Sequence, residues 1–297
     1  MLTHLLATPQ PPTRVVILGA NGFLSLALAA ALRADQIPFR AVGSQQVNLI
    51  DDSAPQKLRD IIQPDDALVI ASALTPDKGR DVATLMKNLQ MASHLCSVLG
   101  AGSCSHVVYI SSDAVYDSRS SLIEESSSCE PSDLYALMHT GREKMIGYAC
   151  QSAKVPLAIV RPCAVYGAGD THNSYGPNRF IRTALADGVI RLFGEGEEKR
   201  DHVRVEDVAG ILKLCLLHRS SGIINAASGQ AVSFMDIAKL ILSAAPRAVK
   251  LEPQPRGGPV THRHFDITAL IHAFPDFRPQ PVSIGIPEAL AAMSRTV

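Results

Sequence analysis

Three residues near the start of the chain have the spacing of a phosphate-binding turn. Gly19, Gly22 and Ser25 stand at the positions of a GxxGxxG pattern, directly after the apolar run RVVIL. The first glycine permits a tight turn, and the second lets a pyrophosphate approach the backbone N–H groups at a helix start. The third position normally lets the helix pack closely on the strand, and its serine is expected to lift the helix slightly. The pattern predicts binding of a dinucleotide.

The end of the second predicted strand bears on which dinucleotide binds. An acidic residue there would accept hydrogen bonds from both ribose hydroxyls of NAD, but residues 41–45 read AVGSQ. Because no carboxylate repels a 2′-phosphate, the segment slightly favours NADP and leaves NAD open. Asp51 follows the next apolar stretch and has two alternative roles, as acceptor from the adenine amino group or as a helix N-cap.

The elements around the turn indicate an α/β fold. The segments RVVILGANGFLSLALAAALRAD and IPFRAV predict strand, turn, helix and strand. The later apolar runs DALVIASA, HVVYISS and PLAIVRP alternate with helical stretches. This order predicts a doubly wound parallel sheet, a Rossmann fold, with a smaller α/β substrate-binding region. Prolines at 9, 11 and 12 predict an irregular lead-in, and the tail from Gln230 predicts two helical segments around a loop.

Composition excludes several classes of function. The chain has 297 residues, and 28 basic residues balance 28 acidic ones, so no broad field favours nucleic acid as a partner. The six cysteines are scattered without metal-ligand spacing, and we expect no metal site. No apolar run reaches the roughly 20 residues of a membrane span, and the N-terminus does not read as a signal peptide. We expect a cytoplasmic protein with no membrane partner.

Four further segments carry a family resemblance. They are YISSDAVY and PSDLYALMHTGREK, VRPCAVYGAG, and the long stretch RFIRTALADGVIRLFGEGEEKRDHVRVEDVA. With the glycine turn, they resemble the extended short-chain dehydrogenase/reductase family, in its nucleotide-sugar epimerase, dehydratase and reductase branch. The similarity covers nearly the whole chain, and its motifs are specific together though weak singly.

The resemblance implies roles for three side chains. In that family a serine holds a substrate oxygen, a tyrosine transfers a proton at a C–OH or C=O, and a lysine binds the nicotinamide ribose and lowers the tyrosine pKa. Matched by position, Ser112 takes the serine role and Tyr135 the tyrosine role. The lysine is missing, and His139 stands in its place four residues after Tyr135.

The histidine leaves three alternatives open. A free imidazole has a pKa near 6.5 and is mostly uncharged at neutral pH, and a neutral neighbour does little to favour a phenolate. Either a neighbouring acid keeps His139 protonated so that it does the lysine's work, or the positive ring of the oxidised cofactor suffices at a reduced rate, or the protein binds cofactor with little turnover.

Other positions narrow the reaction. Dehydratases of the family carry an Asp–Glu pair after the catalytic serine or threonine, whereas this chain has Asp113 and Ala114. A 4,6-dehydratase is therefore not expected, and a nucleotide-sugar epimerase or ketoreductase with Tyr135 as acid and base remains. The alternative is a catalytically weak or inactive NAD(P)-binding sensor or assembly protein of the same fold.

The resemblance also assigns the substrate end. Asn178, Arg200 and Arg256 match positions that contact a nucleotide diphosphate, and the planar guanidinium suits bidentate phosphate binding. Exposed, solvated arginines are the alternative. His202, His262 and His264 are open to two roles, as contacts to the substrate or as ordinary surface histidines. The expected partners are a nucleotide-diphosphate sugar and a second copy of the chain in a homodimer.

The expected contacts and boundaries follow. Besides Tyr135 and His139, the residues expected at the cofactor are Gly19, Asn21, Gly22, Phe23, Leu24, Ser44, Asp51, Ala71 and Asn88. Residues 13–167 and 201–228 are expected to form the dinucleotide-binding domain. Residues 168–200 and 229–297 are expected to form the substrate-binding region.

Overall fold

The computed structural model of the chain describes residues 2–99 and 104–295. The described strands, in chain order, are β1 (Thr3–His4), β2 (Arg14–Leu18), β3 (Phe39–Val42), β4 (Asp66–Ile70), β5 (His106–Ile110), β6 (Leu122–Ile123), β7 (Leu157–Pro162), β8 (Ala164–Tyr166), β9 (Val189–Phe193), β10 (Lys199–Arg204), β11 (Ser220–Ala226), β12 (Ala231–Ser233), β13 (Lys250–Gln254) and β14 (His264–Phe265). The described α-helices are α1 (Phe23–Ala34), α2 (Ala54–Ile61), α3 (Val82–Leu99), α4 (Leu134–Ala153), α5 (Pro177–Asp187), α6 (Val205–Leu217), α7 (Phe234–Ala244), α8 (Thr268–Ala273) and α9 (Val282–Ser294).

Seven strands form the main sheet, in the order β3-β2-β4-β5-β7-β11-β1. Every neighbouring pair is parallel except β1 with β11, which is antiparallel. The central strands β4 and β5 are buried along their whole length, as expected for a parallel sheet covered on both faces. The order reverses direction between β2 and β4, which is where open α/β sheets bind ligands.

Helices cover both faces of this sheet. On one face α1 packs against α6, and on the other α3 packs against α4 and α2. Each layer buries its own apolar cluster, with Val15, Ile17 and Leu28 in the first and Val16, Leu18 and Leu58 in the second. The alternation of β2 residues between the two clusters follows from the two-residue repeat of a strand. The fold is α/β and doubly wound, and that prediction is confirmed.

A second group of elements lies beside the carboxyl edge of the main sheet. The strands β8, β10 and β12 form one small sheet, and β9 pairs with β13 in another. A third apolar cluster joins helices α5, α7 and α9, with Phe180, Ile237 and Ile286 buried at its centre. This smaller region positions the side chains that face the sheet's carboxyl edge.

The structure differs from the sequence predictions at both ends. The lead-in is not wholly irregular, because Thr3 and His4 form an edge strand paired with Ser220 and Ser221. The tail has three helices rather than two, and part of its predicted loop is the strand β13. These strands are short and depend on partners far away in the chain, so local patterning does not reveal them. Within the described residues, no helix has the length and apolar character to cross a membrane.

Candidate active site

A crevice of about 560 Å³ opens at the carboxyl edge of the main sheet. Its lining comes from the segments that follow β2, β4, β5 and β7, and from the smaller region around residues 170–178. The volume is within the range of small-molecule sites. The crevice is therefore where the predicted cofactor and substrate residues must meet if they act together.

The glycine turn forms one wall of this crevice. Gly19 has a φ of +103°, and a Cβ there would lie 3.0 Å from the backbone nitrogen of Ser72, so a side chain is excluded. Gly22 begins α1, where neither a side-chain cap nor an acidic residue occupies the first turn. Such a helix start leaves backbone N–H groups and the positive end of the helix dipole available to an anion. The turn fits the pyrophosphate of a dinucleotide.

The remaining predicted cofactor residues divide by position. Asn21, Phe23, Leu24 and Ala71 line the crevice with Gly22. Ser44 is exposed at the end of β3 and lies outside the lining. The side chain of Asp51 accepts a hydrogen bond from Asn48 at 2.8 Å, while the N-cap of α2 is Ser53.

Asn88 is buried rather than open to the crevice. Its amide accepts a hydrogen bond from the Leu74 backbone nitrogen at 2.9 Å and donates to the Leu74 carbonyl at 3.0 Å. It lines a smaller cavity of about 120 Å³ next to the crevice, which it shares with Tyr135. Asn88 thus holds the loop after β4 in place beneath the site.

Ser112, Tyr135 and His139 all line the crevice. Ser112 follows β5, and its hydroxyl accepts a hydrogen bond from the Ala114 backbone nitrogen at 3.2 Å. Tyr135 lies in the first turn of α4, which begins at a cap in which Asp133 accepts from the Ala136 nitrogen. The rings of Tyr135 and His139 meet edge to face with centroids 4.7 Å apart, as expected for residues four apart on a helix.

Burial raises the pKa of Tyr135 to about 12. The Ser112 hydroxyl and the positive charge of Arg142 lower this pKa, whereas the Asp113 carboxylate raises it. Because the burial of a phenolate outweighs these favourable contacts, the phenol is protonated at neutral pH. It is ready to donate a proton.

His139 is uncharged in this setting. Its Nδ1 is hydrogen-bonded to the Tyr109 hydroxyl at 2.8 Å, and no carboxylate among the described residues pairs with it. Burial and the nearby Arg142 guanidinium lower its pKa to about 3. The alternative in which an acid keeps His139 protonated is therefore wrong, and the imidazole cannot supply the positive charge of a lysine.

The structure separates the predicted substrate residues. Asn178 lines the crevice, where its side chain accepts from the Gly167 nitrogen at 2.9 Å and donates to the Val165 carbonyl at 3.3 Å. Arg200 and Arg256 lie outside the crevice lining, and each pairs with Glu198. A diphosphate would have to compete with that carboxylate, so contact with either guanidinium stays a prediction.

His202, which the sequence leaves open as a substrate contact or a surface histidine, lines the crevice. It is 1% exposed rather than at the surface, and neither ring nitrogen has a hydrogen-bond partner among the residues that the structure describes. Burial, with the charge of Arg200, lowers its pKa to about 3, so the ring is neutral and offers one donor and one acceptor. Nothing in the sequence distinguishes it from the other nine histidines, since its position depends on the pairing of β10 with β8.

One contact crosses the crevice between its two sides. His172 Nδ1, in the loop after β8, lies 3.0 Å from Asp77 Oδ1 in the loop after β4. Although partial burial opposes it, hydrogen bonds from Thr75, His172 and Lys78 lower the pKa of Asp77. The ionised carboxylate thus joins the two loops at the edge of the site.

A family model agrees with this arrangement. The model described as "NAD dependent epimerase/dehydratase family" matches residues 15–227. That stretch contains the glycine turn, Ser112, Tyr135, Asn178 and His202.

Solved structures resemble the chain over nearly its whole length. A GDP-L-fucose synthetase from Naegleria fowleri has a TM-score of 0.86 at 16% identity, covering 97% of this chain and 96% of its own. RMD from Pseudomonas aeruginosa, complexed with NADPH, has a TM-score of 0.84 at 21% identity, covering 96% and 100%. A Thermus thermophilus UDP-glucose 4-epimerase in complex with NAD has a TM-score of 0.81 at 20% identity, covering 96% and 100%. At these identities the likeness establishes the fold.

Proposed function

The chain belongs to the NAD-dependent epimerase/dehydratase family, and from this premise we propose that it is an NAD(P)-dependent enzyme acting on a sugar carried by a nucleotide diphosphate. The reaction is reduction of a keto-sugar or epimerisation at a carbinol carbon. The observation that carries the proposal is a single crevice lined both by the uncapped start of α1 and by Ser112 and Tyr135. Phosphate-binding and proton-transfer groups therefore face one ligand-sized space.

The protein's own groups position the reacting carbon and move its proton. A bound nicotinamide supplies the hydride chemistry. The Ser112 hydroxyl donates a hydrogen bond to the reacting sugar oxygen. The phenol of Tyr135 donates a proton to that oxygen during reduction, and its phenolate accepts the proton during oxidation. The Gly22 end of α1 binds the pyrophosphate and so fixes where the ring lies.

The protonation state of Tyr135 favours the ketoreductase. A phenol with a pKa raised to about 12 is a proton donor at neutral pH, and reduction of a keto group needs a donor. An epimerase must first oxidise its substrate and needs the phenolate, which is scarce under these conditions. Ser44 lies where a carboxylate would repel the 2′-phosphate of NADPH. Because no carboxylate is present there, the segment favours NADPH, the reductant of such a reaction.

The substrate side follows from the smaller region. Residues 168–200 and 229–297 are proposed to bind the nucleotide sugar, and residues 13–167 and 201–228 to bind the cofactor. Asn178 lies at their junction in the crevice wall, while Arg200 and Arg256 are proposed to exchange Glu198 for diphosphate oxygens on binding.

A homodimer is proposed to form through α3 and α4. These helices pack together and leave large apolar side chains in solvent, with Met86 57% and Tyr148 76% exposed. A second copy of the same helix pair would cover them. Sedimentation of the protein should give twice the mass of one chain, and a monomer at micromolar concentration would contradict this proposal.

The test is consumption of NADPH with keto-sugar nucleotides as substrates. We expect a steady loss of NADPH absorbance in the wild type and at least a hundredfold lower rate in Tyr135→Phe, because proton transfer contributes about 10²–10⁴-fold. Tyr148→Phe, at an exposed position of the same helix, is the matched control, because it keeps the ring that the dimer is proposed to cover, and it should retain the wild-type rate. Interconversion of sugars without net NADPH loss would identify the epimerase.

The uncharged state of His139 favours a second candidate, a protein that binds NAD(P) with little turnover. Under this alternative, the function of the protein depends on cofactor binding and not on turnover. Tyr135→Phe then leaves that function intact, while Gly22→Leu abolishes it. A Cβ at Gly22 would lie 3.2 Å from the Gly19 carbonyl oxygen, in the space proposed for the pyrophosphate. Thermal denaturation with NADP measures cofactor binding separately from turnover, since ligand at about 100 times its Kd stabilises the folded protein by about 2.7 kcal/mol.

A further inference from the structure

A buried polar cluster lies directly beneath the crevice floor. It consists of Tyr109 on β5 and of His139 and Arg142 on α4. Tyr109 and Arg142 are 1% and 0% exposed, and the guanidinium carbon lies 5.4 Å from the centre of the Tyr109 ring. Burying an arginine without a carboxylate is costly. The cluster therefore needs an explanation beyond packing.

The surroundings of His139 determine which of its nitrogens carries the proton. The titratable groups around it are Tyr135, Arg142 and Glu143 on α4 and Tyr109 on β5. Glu143 is already committed, since Arg161 donates to both of its oxygens and Ser111 donates to one. No carboxylate in the described part of the chain therefore competes for the imidazole.

Tyr109 holds one side of the ring. Burial raises the pKa of its phenol, so the hydroxyl keeps its proton, and His139 Nδ1, 2.8 Å away, is the acceptor that the described residues offer it. With Nδ1 as acceptor, the single proton of the neutral ring is on Nε2. Nε2 is buried without a partner in the described structure, and the ring lines the crevice. Its N–H lacks an acceptor among the described residues, and a ligand oxygen in the crevice would supply one.

Arg142 supplies the permanent charge that the imidazole lacks. Its guanidinium donates to the Ser72 carbonyl at 2.8 Å and to Asn88 Oδ1 at 3.3 Å, and its Nε has no partner within the described part of the chain. Its charge lowers the pKa of both His139 and Tyr135. At seven residues beyond Tyr135 it lies on the same face of α4. A second cation at position 139 would face repulsion from this one, which accounts for an uncharged residue there.

We propose that Tyr109 and Arg142 are positioning residues that hold His139 as an uncharged ring with its Nε2–H toward the crevice, and that Arg142 is the cation of the site. Two functions, donation of a hydrogen bond to the ligand and electrostatic support of Tyr135, are thus divided between His139 and Arg142. The catalytic part rests on the proposed function, whereas the state of the ring does not.

The state of the ring is tested by nitrogen NMR of protein labelled at histidine, with His139→Gln assigning the signal. We expect Nε2 protonated, Nδ1 unprotonated, and no titration between about pH 5 and 8. In Tyr109→Phe the fixed tautomer should give way to exchange between the two. A ring protonated on Nδ1, or one that titrates as a free imidazole, would overturn the proposal. Addition of NADP should shift the Nε2 signal of the wild type, and the lack of a shift would rule out a donor to the cofactor.

The charge is tested by comparing Arg142→Met with Arg142→Lys. Because a nearby cation shifts a pKa by about 1–3 units, Arg142→Met should move the pH profile of substrate oxidation upward by at least about one unit. Its rate at neutral pH should fall about tenfold, with KM unchanged, and Arg142→Lys should restore most of it. Equal profiles for Arg142→Met and wild type would overturn this half of the proposal.

A fold control accompanies both variants. Circular dichroism and the NADP-induced thermal shift report whether Arg142→Met folds. If it does not, Arg142→Lys alone decides, since a role in packing predicts a loss with lysine and a role in charge predicts retention. A wild type without turnover on any keto-sugar nucleotide would contradict the proposed function, while the ring signals would still test the state of His139.

Discussion

At the scale of single residues, the chemistry of Tyr135 depends on groups that oppose its burial. The Ser112 hydroxyl and Arg142 lower the pKa of Tyr135 and so favour its phenolate, whereas burial raises this pKa and favours the phenol. Neither influence comes from His139, whose ring is neutral. The direction of catalysis is therefore sensitive to pH in a way that can be measured.

Oxidation and reduction should respond oppositely to pH. The folded pKa of Tyr135 is raised to about 12, so the phenolate fraction rises about tenfold per pH unit through the accessible range. We expect NADP-dependent oxidation of the sugar alcohol to rise accordingly between about pH 7 and 9, while NADPH-dependent reduction stays nearly flat. Initial rates in both directions provide the measurement. A reduction rate that falls tenfold per unit over this range would contradict the assignment of Tyr135 as donor.

His202 should discriminate between substrates rather than bind cofactor. Both of its ring nitrogens face the crevice wall without a partner in the described structure, and a hydrogen bond contributes about 0.5–1.5 kcal/mol. His202→Phe should therefore raise KM for the nucleotide sugar several-fold to about tenfold and leave the NADP-induced thermal shift unchanged. His262→Phe, outside the crevice lining, is the control. An altered NADP shift with unchanged KM would place His202 on the other ligand.

Sequence patterns reached some of these residues and not others. Gly19 and Gly22 belong to a local motif with fixed spacing, whereas Ser112 and Tyr135 were predicted from the resemblance to the family. Arg142 could not be assigned a role, because its partners Ser72 and Asn88 lie 70 and 54 residues away.

At the scale of secondary-structure elements, one buried ion pair ties α4 to the main sheet. Glu143 on the helix and Arg161 on β7 form two hydrogen bonds, at 2.6 and 2.9 Å, and both side chains are nearly inaccessible. Ser111, at the end of β5, donates to the same carboxylate at 2.6 Å. The pair fixes the helix that carries Tyr135 relative to the strand end that carries Ser112.

Breaking this pair from one side should be costly. Arg161→Met leaves a buried carboxylate without its partner, and we expect the free energy of unfolding to fall by about 3–5 kcal/mol. The double variant Glu143→Leu/Arg161→Met should lose much less, because no unpaired charge remains. Urea denaturation followed by circular dichroism gives both values. Equal losses in the single and double variants would show that packing, rather than charge, dominates here.

The elements themselves were predictable to different degrees. The strands β2, β4, β5 and β7 are continuous apolar runs, as buried parallel strands must be, and the sequence identifies all of them. The strands β1 and β13 lack this signature, since an edge strand of two residues and a strand containing Pro253 depend on their partners' hydrogen bonds.

At the scale of the whole molecule, buried histidines couple stability to pH. His106, the first residue of β5, is buried with its Nε2 2.8 Å from the Ser220 carbonyl oxygen. Burial lowers its pKa to about 4. His139 and His202 are lowered further, to about 3. Because an unfolded imidazole takes up a proton near pH 6.5, unfolding binds protons below that pH.

The protein should therefore lose stability on mild acidification. A folded pKa below the unfolded value gives a contribution that is complete above about pH 6.5 and is lost as the pH falls toward 4. Each such histidine contributes about 1.4 kcal/mol per pH unit in this window. His106→Gln should reduce the slope of unfolding free energy against pH by about that amount, measured by urea denaturation from pH 7 to 5. An unchanged slope would mean that folding does not lower the pKa of His106.

The layered architecture could be predicted from the sequence, but the residues that complete the wall of the crevice could not. The order of helices and strands predicts a doubly wound sheet, and the structure bears it out. The loop after Gly167 carries no helical or strand pattern, yet residues 170–178 supply part of the crevice wall. Such long-range placement depends on tertiary packing around Phe180 and Ile237, which no local pattern encodes.

The bridge between His172 and Asp77 has a consequence for the timing of ligand exchange. A single, partly exposed contact of this kind is worth about 1 kcal/mol or less, so thermal motion parts the two loops readily. Separation of the two loops at this contact should therefore not limit the rate at which a ligand enters or leaves the crevice. The lifetime of a complex is then governed by the contacts that hold the ligand, rather than by the opening of these loops.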